Sequence, residues 1–510
     1  MKKAPPFFFP AVFIMLFLGI FYFTVTNMAG IYIASDLGGS HLTSVYPMVF
    51  YGLGNSLAIP LSKYLVERIG APKVAIASLL IYSLFSLFCT LAPTYPIFNC
   101  YRFGLGLAAG PFFFLSKRWI DEYASEEKKK VFTTLMILMF SIVPVLGACF
   151  GAVLAYEVHW RWIFHFNKPI SLFLIFYFWR TFAKLGHPKL KKIPFDLWGY
   201  VSYCLAFGSL VTAATLSQEL DWYRYDIFMM LISISIPSLL FFLYWEWHHP
   251  SPIVDLRLFC NPALAFTLLN LAILFATYFG MIILIALWLQ IYANYTPLWI
   301  SVVIGSMGLA GFVGYAFFYF EFHRFDPRIS LGIAIVFFII SCTYSSHFDV
   351  NIDIAHLAIA RSLAGFGLIL FLIPLFRMAL TCCAKQEIDR VYILLQAVRT
   401  LSSSLGAGLY VILWQRRQVF FYSRLGSELN PYSQLARAYY KRATEIFHLT
   451  KEQATAQFQV YLEQQSTSLA LNDTFGFMGC VLGMLLLVLI ASFFYQKIHK
   501  VIVDTKSKDL

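Results

Sequence analysis

Long apolar segments follow one another along most of the chain, with short polar or charged stretches between them. The hydrocarbon core of a bilayer is about 30 Å thick, so an apolar helix of about 20 residues spans it. Only helices and closed barrels can satisfy their backbone polar groups in lipid, and barrel strands alternate over about 10 residues. These segments are continuously apolar. The pattern therefore predicts an all-α integral membrane protein with fourteen spanning helices.

Composition agrees with this prediction and adds an orientation. The 510 residues are 60% hydrophobic and 13% charged, whereas soluble domains carry about 25% charged residues. The net charge of +12 comes from Lys and Arg in alternate short loops, and such loops lie in the cytoplasm. We therefore expect both termini to be cytoplasmic and no nucleic-acid partner. Two of these basic loops contain Lys128, Lys129 and Lys130, and Lys189, Lys191 and Lys192.

Motifs for enzymatic chemistry are not evident in the sequence. No Gly-Lys-Ser/Thr phosphate loop is present, which argues against an ATP-driven machine. We find no plausible set of zinc ligands and no hydrolytic triad, so we predict no cofactor, no metal and no enzymatic activity. The nine cysteines are scattered without a Cys-x-x-Cys pair and are interpreted as small apolar packing residues.

One polar junction interrupts two apolar segments at residues 159–169, His-Trp-Arg-Trp-Ile-Phe-His-Phe-Asn-Lys-Pro. Tryptophans at such a position can simply anchor the chain at the membrane–water boundary. The phrase also resembles the junction between helices 5 and 6 of the 14-helix drug:proton antiporters (EmrB/QacA type) of the major facilitator superfamily. The residues that carry this resemblance are Trp160, Arg161, Trp162, Asn167 and Pro169.

Further motifs resemble the same family in order and spacing. Residues 63–73 are similar to its cytoplasmic charge motif, which implies a conformational role for Glu67, Arg68, Gly70 and Lys73. The fifth predicted span is similar to the antiporter motif Gly-Pro-x-x-Gly-Gly through Pro144, Gly147 and Gly151. Both stretches also have simpler interpretations, as a loop that sets topology and as a small-residue packing face.

The resemblance implies a major facilitator fold of two six-helix halves with an inserted helix pair. We expect an N-terminal bundle at 1–186, the inserted pair and linker at 187–262, and a C-terminal bundle at 263–510. An internal repeat agrees, because Arg361-Ser-Leu-Ala-Gly365 mirrors Arg102-Phe-Gly-Leu-Gly106. Related halves with a site at their interface are typical of such transporters.

A polar stretch at 415–472 lies between the last two predicted spans. The alternation of sides makes it an extracytoplasmic loop. Two segments within it, Gln434–Phe447 and Thr450–Ser468, are interpreted as short amphipathic helices. Thr450 and Gln453 have the spacing of a capping box at the start of the second one.

The sequence has no acid at the position where the family has its proton-coupling residue. The family's acid in the first helix is replaced here by Tyr22, although Asn27 agrees with its motif. Four acids in apolar surroundings all lie at predicted helix ends: Glu157, Asp196, Glu246 and Glu321. The interior charges are instead cationic, which favours an anionic or amphipathic anionic solute. The predicted cavity residues are Tyr22, Asn27, Arg102, Gln290, Arg361 and Arg399.

His165 is the candidate coupling residue, because imidazole titrates near neutral pH. The alternative for His165 and Lys168 is a structural hydrogen-bonding role, and Arg102 could extend to the interface. We predict a secondary active transporter for multidrug or toxic-compound efflux across the inner membrane. The alternatives are transport of an anionic metabolite or lipid without proton antiport, and a transport-inactive receptor or scaffold. The expected partners are a small-molecule substrate, membrane lipid, a periplasmic adaptor and an outer-membrane channel.

Overall fold

The computed structural model describes residues 5–185, 194–217, 226–321, 326–384, 387–428 and 433–506. The expected basic residues Lys189, Lys191 and Lys192 lie outside them, as does the side chain of Glu321. Within these ranges the chain forms sixteen α-helices: α1 Phe8–Thr24, α2 Thr26–Asp36, α3 Tyr46–Ile69, α4 Ala71–Leu91, α5 Tyr95–Tyr123, α6 Glu126–Leu154, α7 Arg161–Leu185, α8 Leu197–Leu216, α9 Asp226–His248, α10 Pro262–Ile291, α11 Pro297–Glu321, α12 Pro327–Ser345, α13 Ile354–Thr381, α14 Ile388–Glu428, α15 Gln434–Glu445 and α16 Lys451–Lys506.

Fourteen membrane spans can be assigned to these helices, as predicted. Nine helices in the described ranges are long and apolar enough to cross a membrane, and the bent pair α1–α2 makes a tenth. The other four spans are α3, α5, α7 and α14, which are equally long. Each carries buried polar side chains, among them Asn55, Arg102, Asn167 and Arg399. These buried polar groups lower the mean hydropathy of the four helices, which hold internal polar contacts of the protein.

The two halves of the chain pack in the same way. In the first half α1 packs on α6, α3 on α5 and α4 on α7; in the second half α10 packs on α14, α11 on α13 and α12 on α16. The halves meet where α3 contacts α14 and where α6 contacts α11. The inserted helices α8 and α9 pack on each other, and α8 lies against both α3 and α14. The inserted pair therefore covers one of the two seams between the halves.

The glycines of the internal repeat permit the closest helix contacts. A Cβ added to Gly106 of α5 would lie 2.0 Å from the carbonyl oxygen of Tyr51 in α3. A Cβ added to Gly365 of α13 would lie 2.1 Å from the carbonyl oxygen of Met307 in α11. Small residues allow such backbone approach in membrane helices. The two halves therefore make equivalent close contacts at the glycines of the internal repeat that the sequence predicts.

The first predicted span is broken rather than continuous. Its two parts, α1 and α2, are bent by 54° at Val25. The Tyr22 carbonyl oxygen accepts a 2.7 Å hydrogen bond from Arg102 Nη2, although in an unbroken helix this oxygen would accept from the Thr26 N–H. The β-branched run of Thr24, Val25 and Thr26 also has weak helix propensity. Both features weaken the helix at the bend.

The extracytoplasmic loop expected at 415–472 is instead largely helical. α14 continues without interruption to Glu428, and α16 begins at Lys451 and runs on into the last span. Only α15 is a separate short helix near a predicted position. Neither 415–425 nor 451–475 contains Gly or Pro, so nothing in the sequence ends the helices where the lipid ends. The capping box is confirmed: Gln453 N–H donates to Thr450 Oγ1, and Thr450 N–H donates to Gln453 Oε1.

Candidate functional site

A cavity lies between the two halves, near the middle of the spans. It is narrow: the space between atoms is about 390 Å³ with open solvent included, and only about 20 Å³ of it can hold the centre of a water molecule. The first half contributes α1, α3, α5 and α6, and the second half contributes one face of α14. The lining is aromatic and aliphatic with a few polar groups: Leu16, Gly19, Ile20, Phe23, Tyr51, Asn55, Ala109, Gly110, Phe112, Phe113, Phe140, Gln396, Arg399 and Thr400.

Arg399 is the charged residue in this lining, and it is 4% exposed. Its Nε donates to Gln396 Oε1 at 2.9 Å, and its Nη2 donates to Thr400 Oγ1 at 3.2 Å. Its guanidinium carbon lies 4.0 Å from the centre of the Phe140 ring, a cation–π distance. Its hydrogen-bond partners within the described chain are neutral. Among the described residues, the cavity therefore presents a buried cation without a protein counterion.

Arg102 and Arg361 were predicted to face the cavity, but the structure places both inside their own halves. Both are fully buried, and neither belongs to the cavity lining. Arg102 donates to the carbonyl oxygens of Tyr22 and Pro47 and to Thr26 Oγ1. Arg361 donates to the Met281 carbonyl oxygen and to the hydroxyl of Ser345. The two arginines are equivalent clamps, each tying its helix to the first helix of its half.

Tyr22, in the place of the family's acid, also does not line the cavity. It is 2% exposed, and its hydroxyl donates to the carbonyl oxygen of Ile163 at 2.7 Å. Asn27 is buried in α2, and neither its amide oxygen nor its nitrogen has a hydrogen-bond partner in the structure. Gln290 lies near the end of α10 beside the hydroxyl of Tyr32. None of these three residues is among those that line the central cavity.

His165, the candidate coupling residue, does not pack into the interior of its half. The structure exposes its ring, which contacts the Trp162 ring at 5.4 Å. Its Nδ1 lies 3.1 Å from Lys168 Nζ. The helical period explains this, because one face of α7 packs inward and His165 lies on the other. The buried face is formed by Trp160, Ile163, Phe164, Asn167 and Ser171.

The junction motif acts as a clamp between spans. Trp160 Nε1 and Arg161 Nη1 both donate to Asp36 Oδ2, at 2.9 and 2.8 Å. Arg161 Nε also donates to the Thr90 carbonyl oxygen. The ends of α2 and α4 are thereby fixed to the start of α7. Asp36 was missed in the sequence, although an acid that directly follows an apolar run was a usable signal.

The rest of the junction is divided between the two faces of α7. Asn167 is fully buried and accepts a 2.9 Å hydrogen bond from Ser171. Trp162 is 49% exposed and Pro169 is exposed as well. Trp162 therefore has the position of an interfacial anchor.

The cytoplasmic charge motif surrounds the turn between α3 and α4. Gly70 connects the two helices with φ at 99°, a conformation that L-residues with side chains rarely adopt. Arg68 donates to the Tyr64 hydroxyl, Lys73 is exposed, and Glu67 Oε2 is buried without a hydrogen-bond partner. The motif's charges are therefore not paired with each other in this conformation.

Gly147 and Gly151 of α6 lie against the bend between α1 and α2. A Cβ on Gly147 would lie 2.6 Å from Thr24 Oγ1, and one on Gly151 would lie 1.8 Å from the Val25 carbonyl oxygen. Any larger residue would force the two spans apart at these positions. The glycine pair thus packs tightly against the one break in the first span.

The halves touch on both sides of the cavity. Towards the end where α14 leaves the membrane, Gln415 Nε2 donates to the Leu42 carbonyl oxygen at 3.2 Å. A Cβ on Gly52 would lie 1.7 Å from Ser404 Oγ in the same seam. Towards the opposite end, the rings of Phe113 and Tyr392 are 6.3 Å apart. These contacts are the ones that would separate when either side opens.

Two acids set aside as helix-end residues are in fact buried. Asp196 is 4% exposed and Glu246 is fully buried. They lie together beside Gly199. The linker after α9 folds back over Glu246, and the Val254 N–H donates to its Oε2. A position at a helix end therefore did not indicate whether these two acids are exposed. No local signal in the sequence showed that the linker would cover Glu246.

Comparisons with known proteins agree with this architecture. Residues 12–407 match the family model described as Major Facilitator Superfamily. The multidrug export protein EmrB of Haemophilus influenzae is 25% identical over 490 residues, which covers 92% of this chain and 93% of that protein. The fatty acid resistance protein FarB of Neisseria gonorrhoeae is 26% identical over 421 residues, which covers 82% of each.

A solved structure shows the same fold. It is the inward-facing, unoccupied crystal structure of a bacterial homologue of the human lysosomal transporter Spinster, with a TM-score of 0.61. It is 11% identical and covers 97% of this chain and 99% of its own. The match to the family, the fourteen spans and the paired halves lead to one assignment: the chain is a multi-pass inner-membrane protein and belongs to the major facilitator superfamily.

Proposed function

We propose that this protein is a secondary active transporter that exports toxic amphipathic compounds across the inner membrane, and that its cavity accepts compounds with an anionic head. The relatives support export, since one is named a multidrug export protein and another a fatty acid resistance protein. The anionic preference comes from this chain's own cavity. A long-chain carboxylate is the simplest compound that combines both properties.

Arg399 is the observation that carries this proposal. A buried cation without a counterion costs several kcal/mol of desolvation. A carboxylate that enters the cavity would supply the missing charge and accept charge-assisted hydrogen bonds. The surrounding rings of Phe113 and Phe140 are suited to an apolar tail. A cationic drug would gain the apolar contacts but would be repelled by the guanidinium.

Alternating exposure of the cavity follows from the contacts between the halves. The α3–α14 seam and the α6–α11 seam are each formed by helices from different halves. In the second seam, the Cys149 thiol donates to the Ser301 carbonyl oxygen, and the Ser301 hydroxyl donates to the Cys149 carbonyl oxygen, both at 3.4 Å. Rocking of the halves about the cavity would open one end as the other closes. Close glycine contacts between helices also favour a moving transporter over an inactive scaffold.

The test compares two solutes with the same tail in proteoliposomes, laurate and dodecyltrimethylammonium. Arg399→Gln should raise the KM for laurate about 10- to 100-fold, the loss expected for a hydrogen-bonded charge pair. Arg399→Lys should lose less, since it keeps the charge. Arg377→Gln is the matched control, because Arg377 is exposed on the neighbouring α13.

An equal rise in the KM for dodecyltrimethylammonium in Arg399→Gln would show that Arg399 only maintains the cavity's shape. Laurate flux measured with and without an imposed proton gradient then shows whether laurate and protons move in opposite directions or in the same direction. Outward transport driven by inward protons supports efflux. Movement of laurate and protons in the same direction supports the alternative, import or distribution of an anionic metabolite or lipid.

A partner is proposed for the helical arm formed by 415–428, α15 and 451–466. This arm exposes apolar side chains, including Val419, Phe420, Ile446, Phe447 and Tyr461. Exposed apolar patches of this kind mark interaction surfaces, and we assign this one to a periplasmic adaptor leading to an outer-membrane channel. Ile446→Ser with Phe447→Ser should weaken binding of a purified EmrB-type adaptor to the protein in nanodiscs. Laurate binding should be unchanged, and unchanged adaptor affinity would refute the assignment.

The arrangement in the membrane forms part of the proposal. Both termini are cytoplasmic and the arm is extracytoplasmic, by the distribution of Lys and Arg in the short loops. The units are the N-terminal bundle 1–186, the inserted pair with its linker 187–262, and the C-terminal bundle 263–510. Residues 187–193 and 218–225 of the middle unit lie outside the described ranges.

A further inference from the structure

Two carboxyl groups face each other where α8 begins and α9 ends. Asp196 directly precedes α8, and Glu246 lies in the last turn of α9. Gly199 lies beside both of them. A Cβ built on Gly199 would stand 2.4 Å from Asp196 Oδ2 and 2.4 Å from Glu246 Oε1. The two oxygens therefore face each other at no more than twice that distance, in a space that any side chain on residue 199 would fill.

The hydrogen bonds of this pair leave its inner oxygens unsatisfied. Asp196 Oδ1 accepts from the Gly199 N–H and from Trp245 Nε1, both at 2.9 Å. Glu246 Oε2 accepts from the Val254 N–H at 3.3 Å. Within the described part of the chain, Asp196 Oδ2 and Glu246 Oε1 are buried and have no hydrogen-bond partner, although His249 Nδ1 lies 3.4 Å from Asp196 Oδ2. Native proteins rarely leave buried polar atoms in this state unless a ligand or a function accounts for them.

We propose that Asp196 and Glu246 form a proton-binding site, with one proton held between Oδ2 and Oε1. Two adjacent buried carboxylates cannot both ionise without a large cost, so one of them keeps a proton. Asp196 has two N–H donors and is the better anion. Glu246 therefore holds the proton and donates it to Asp196 Oδ2, which satisfies both free oxygens at once.

The other charged groups around the pair are compatible with a proton as the ligand. His249 of α9 has its Nδ1 3.4 Å from Asp196 Oδ2. The linker contributes Asp255, which pairs with Arg390 of α14, and Arg257, which donates to the carbonyl oxygens of Trp247 and His249. From α3, Arg68 and Tyr64 bond to each other. No group of three or more potential metal ligands occurs in the part of the chain that the structure describes.

The site is attached to both halves of the transporter. Phe195, next to Asp196, packs its ring 4.5 Å from that of Tyr64 in the first half. Val254, which bonds Glu246, is followed by Asp255, whose Oδ2 lies 2.7 Å from Arg390 Nη1 in the second half. Rocking of the halves would pull on both attachments and separate the two carboxyl groups. Water then reaches the pair, and the proton leaves Glu246 as a hydrated proton while both carboxylates become ionised and solvated.

This site would supply the exchangeable proton that the first span lacks, since Tyr22 stands in the place of the acid. The inference rests on the proposed function, because it assigns a step of the same transport cycle. Proton binding itself can nevertheless be measured without transport. Infrared difference spectra of the purified full-length protein in nanodiscs, recorded as the pH is raised, report the loss of a protonated carboxyl group.

The protonated-carboxyl band should be present in the wild type and lost in Glu246→Gln. Asp196→Asn keeps the buried Glu246 carboxyl and its proton, so its band should persist at a shifted frequency because the hydrogen-bond acceptor has changed. Asp226→Asn, at the exposed opposite end of α9, is the matched control and should retain the wild-type band. In proteoliposomes, Glu246→Gln should lower proton-driven laurate flux about tenfold or more. Exchange of internal for external laurate, which needs no net proton movement, should continue because the cavity is intact.

The outcomes separate the two proposals. A band that persists unchanged in Glu246→Gln overturns the proton site, whatever the transport assays show. A band that disappears as expected, in a protein that does not transport laurate, leaves the proton site and refutes the proposed substrate. Glu246→Gln can still accept the Val254 N–H, so a folded variant is expected. If Glu246→Gln keeps full proton-driven flux, the site is not part of the cycle.

Discussion

The seam between α3 and α14 gives the sharpest test of the structure. Gly52 packs so closely on Ser404 that an added Cβ would lie 1.7 Å from Ser404 Oγ, 3.0 Å from Ser404 Cβ and 2.8 Å from the Phe23 ring. Gly52→Ala therefore requires the Ser404 hydroxyl and the Phe23 ring to rotate away, the Ser404 Cβ still being in tight contact, or the seam to open. Because Gly52 and Ser404 belong to different halves, the substitution should be relieved by separating the halves at this end.

The size of the effect follows from the cost of overpacking. Extra methyl groups in a packed core cost about 1–3 kcal/mol, which corresponds to an approximately 5- to 150-fold change in an equilibrium constant at 25 °C. The ratio of the closed to the open arrangement should fall by that factor in Gly52→Ala. Transport should slow as well, since the closed arrangement is a required step of the cycle.

A thiol-reactive cross-linker between introduced cysteines reports the closed arrangement. The Gln415 side chain reaches the Leu42 carbonyl oxygen across the seam, so a reagent about as long as that side chain should join cysteines at these two positions when the seam is closed. The experiment uses a background without the nine native cysteines. Gly52→Ala should reduce cross-linking, whereas Gly408→Ala should not, because its Cβ would lie 3.8 Å from Val49.

A second substitution tests the cause directly. Ser404→Gly removes Cβ and Oγ of Ser404, the two α14 atoms that the methyl group of an alanine at position 52 would contact. Of the three nearest atoms, the one left is at the edge of the Phe23 ring. The double variant should recover most of the cross-linking. Equal cross-linking in the wild type and Gly52→Ala would refute the described seam, and a defect that Ser404→Gly does not relieve would refute the steric explanation.

The remaining predictions concern residues outside the seam. His165→Gln should keep full proton-dependent flux, because the ring faces away from the cavity; a loss of coupling would show that it acts in the cycle. Tyr22→Phe should lower the free energy of unfolding by about 1 kcal/mol, the value of its hydrogen bond to Ile163, and thermal unfolding measures this loss. It should have little effect on the pH profile of flux. A cysteine at Glu445 should react with an impermeant reagent from outside, and one at Lys129 only from inside; the reverse pattern would invert the topology.

The spans and the repeat could be predicted because they depend on local composition. An apolar run of sufficient length must be a helix in lipid, and the shared pattern around Arg102 and Arg361 placed the two halves in register. The bend at Val25 could not be predicted in the same way, because no proline marks it. It depends on the capture of the Tyr22 carbonyl by Arg102, which is a contact between distant parts of the sequence.

The errors at the site have a related cause. Hydropathy shows where lipid ends but not where a helix ends, so α14 and α16 were predicted too short. The direction in which His165 points depends on which face of α7 meets its neighbours. The burial of Glu246 depends on the linker that folds over it. Each of these outcomes is decided by tertiary packing, which composition and spacing do not determine.

The uninterrupted length of α14 makes it a lever. The same helix holds Arg399 in the cavity and ends at Glu428 in the outer arm, a distance of about 40 Å along its axis. If the helix moved as a rigid body, a tilt of about 10° at the cavity would carry its end at Glu428 through about 7 Å. Any tilt of α14 that accompanied solute binding would therefore reach the arm. A protein bound to the arm could respond to loading without ever contacting the solute.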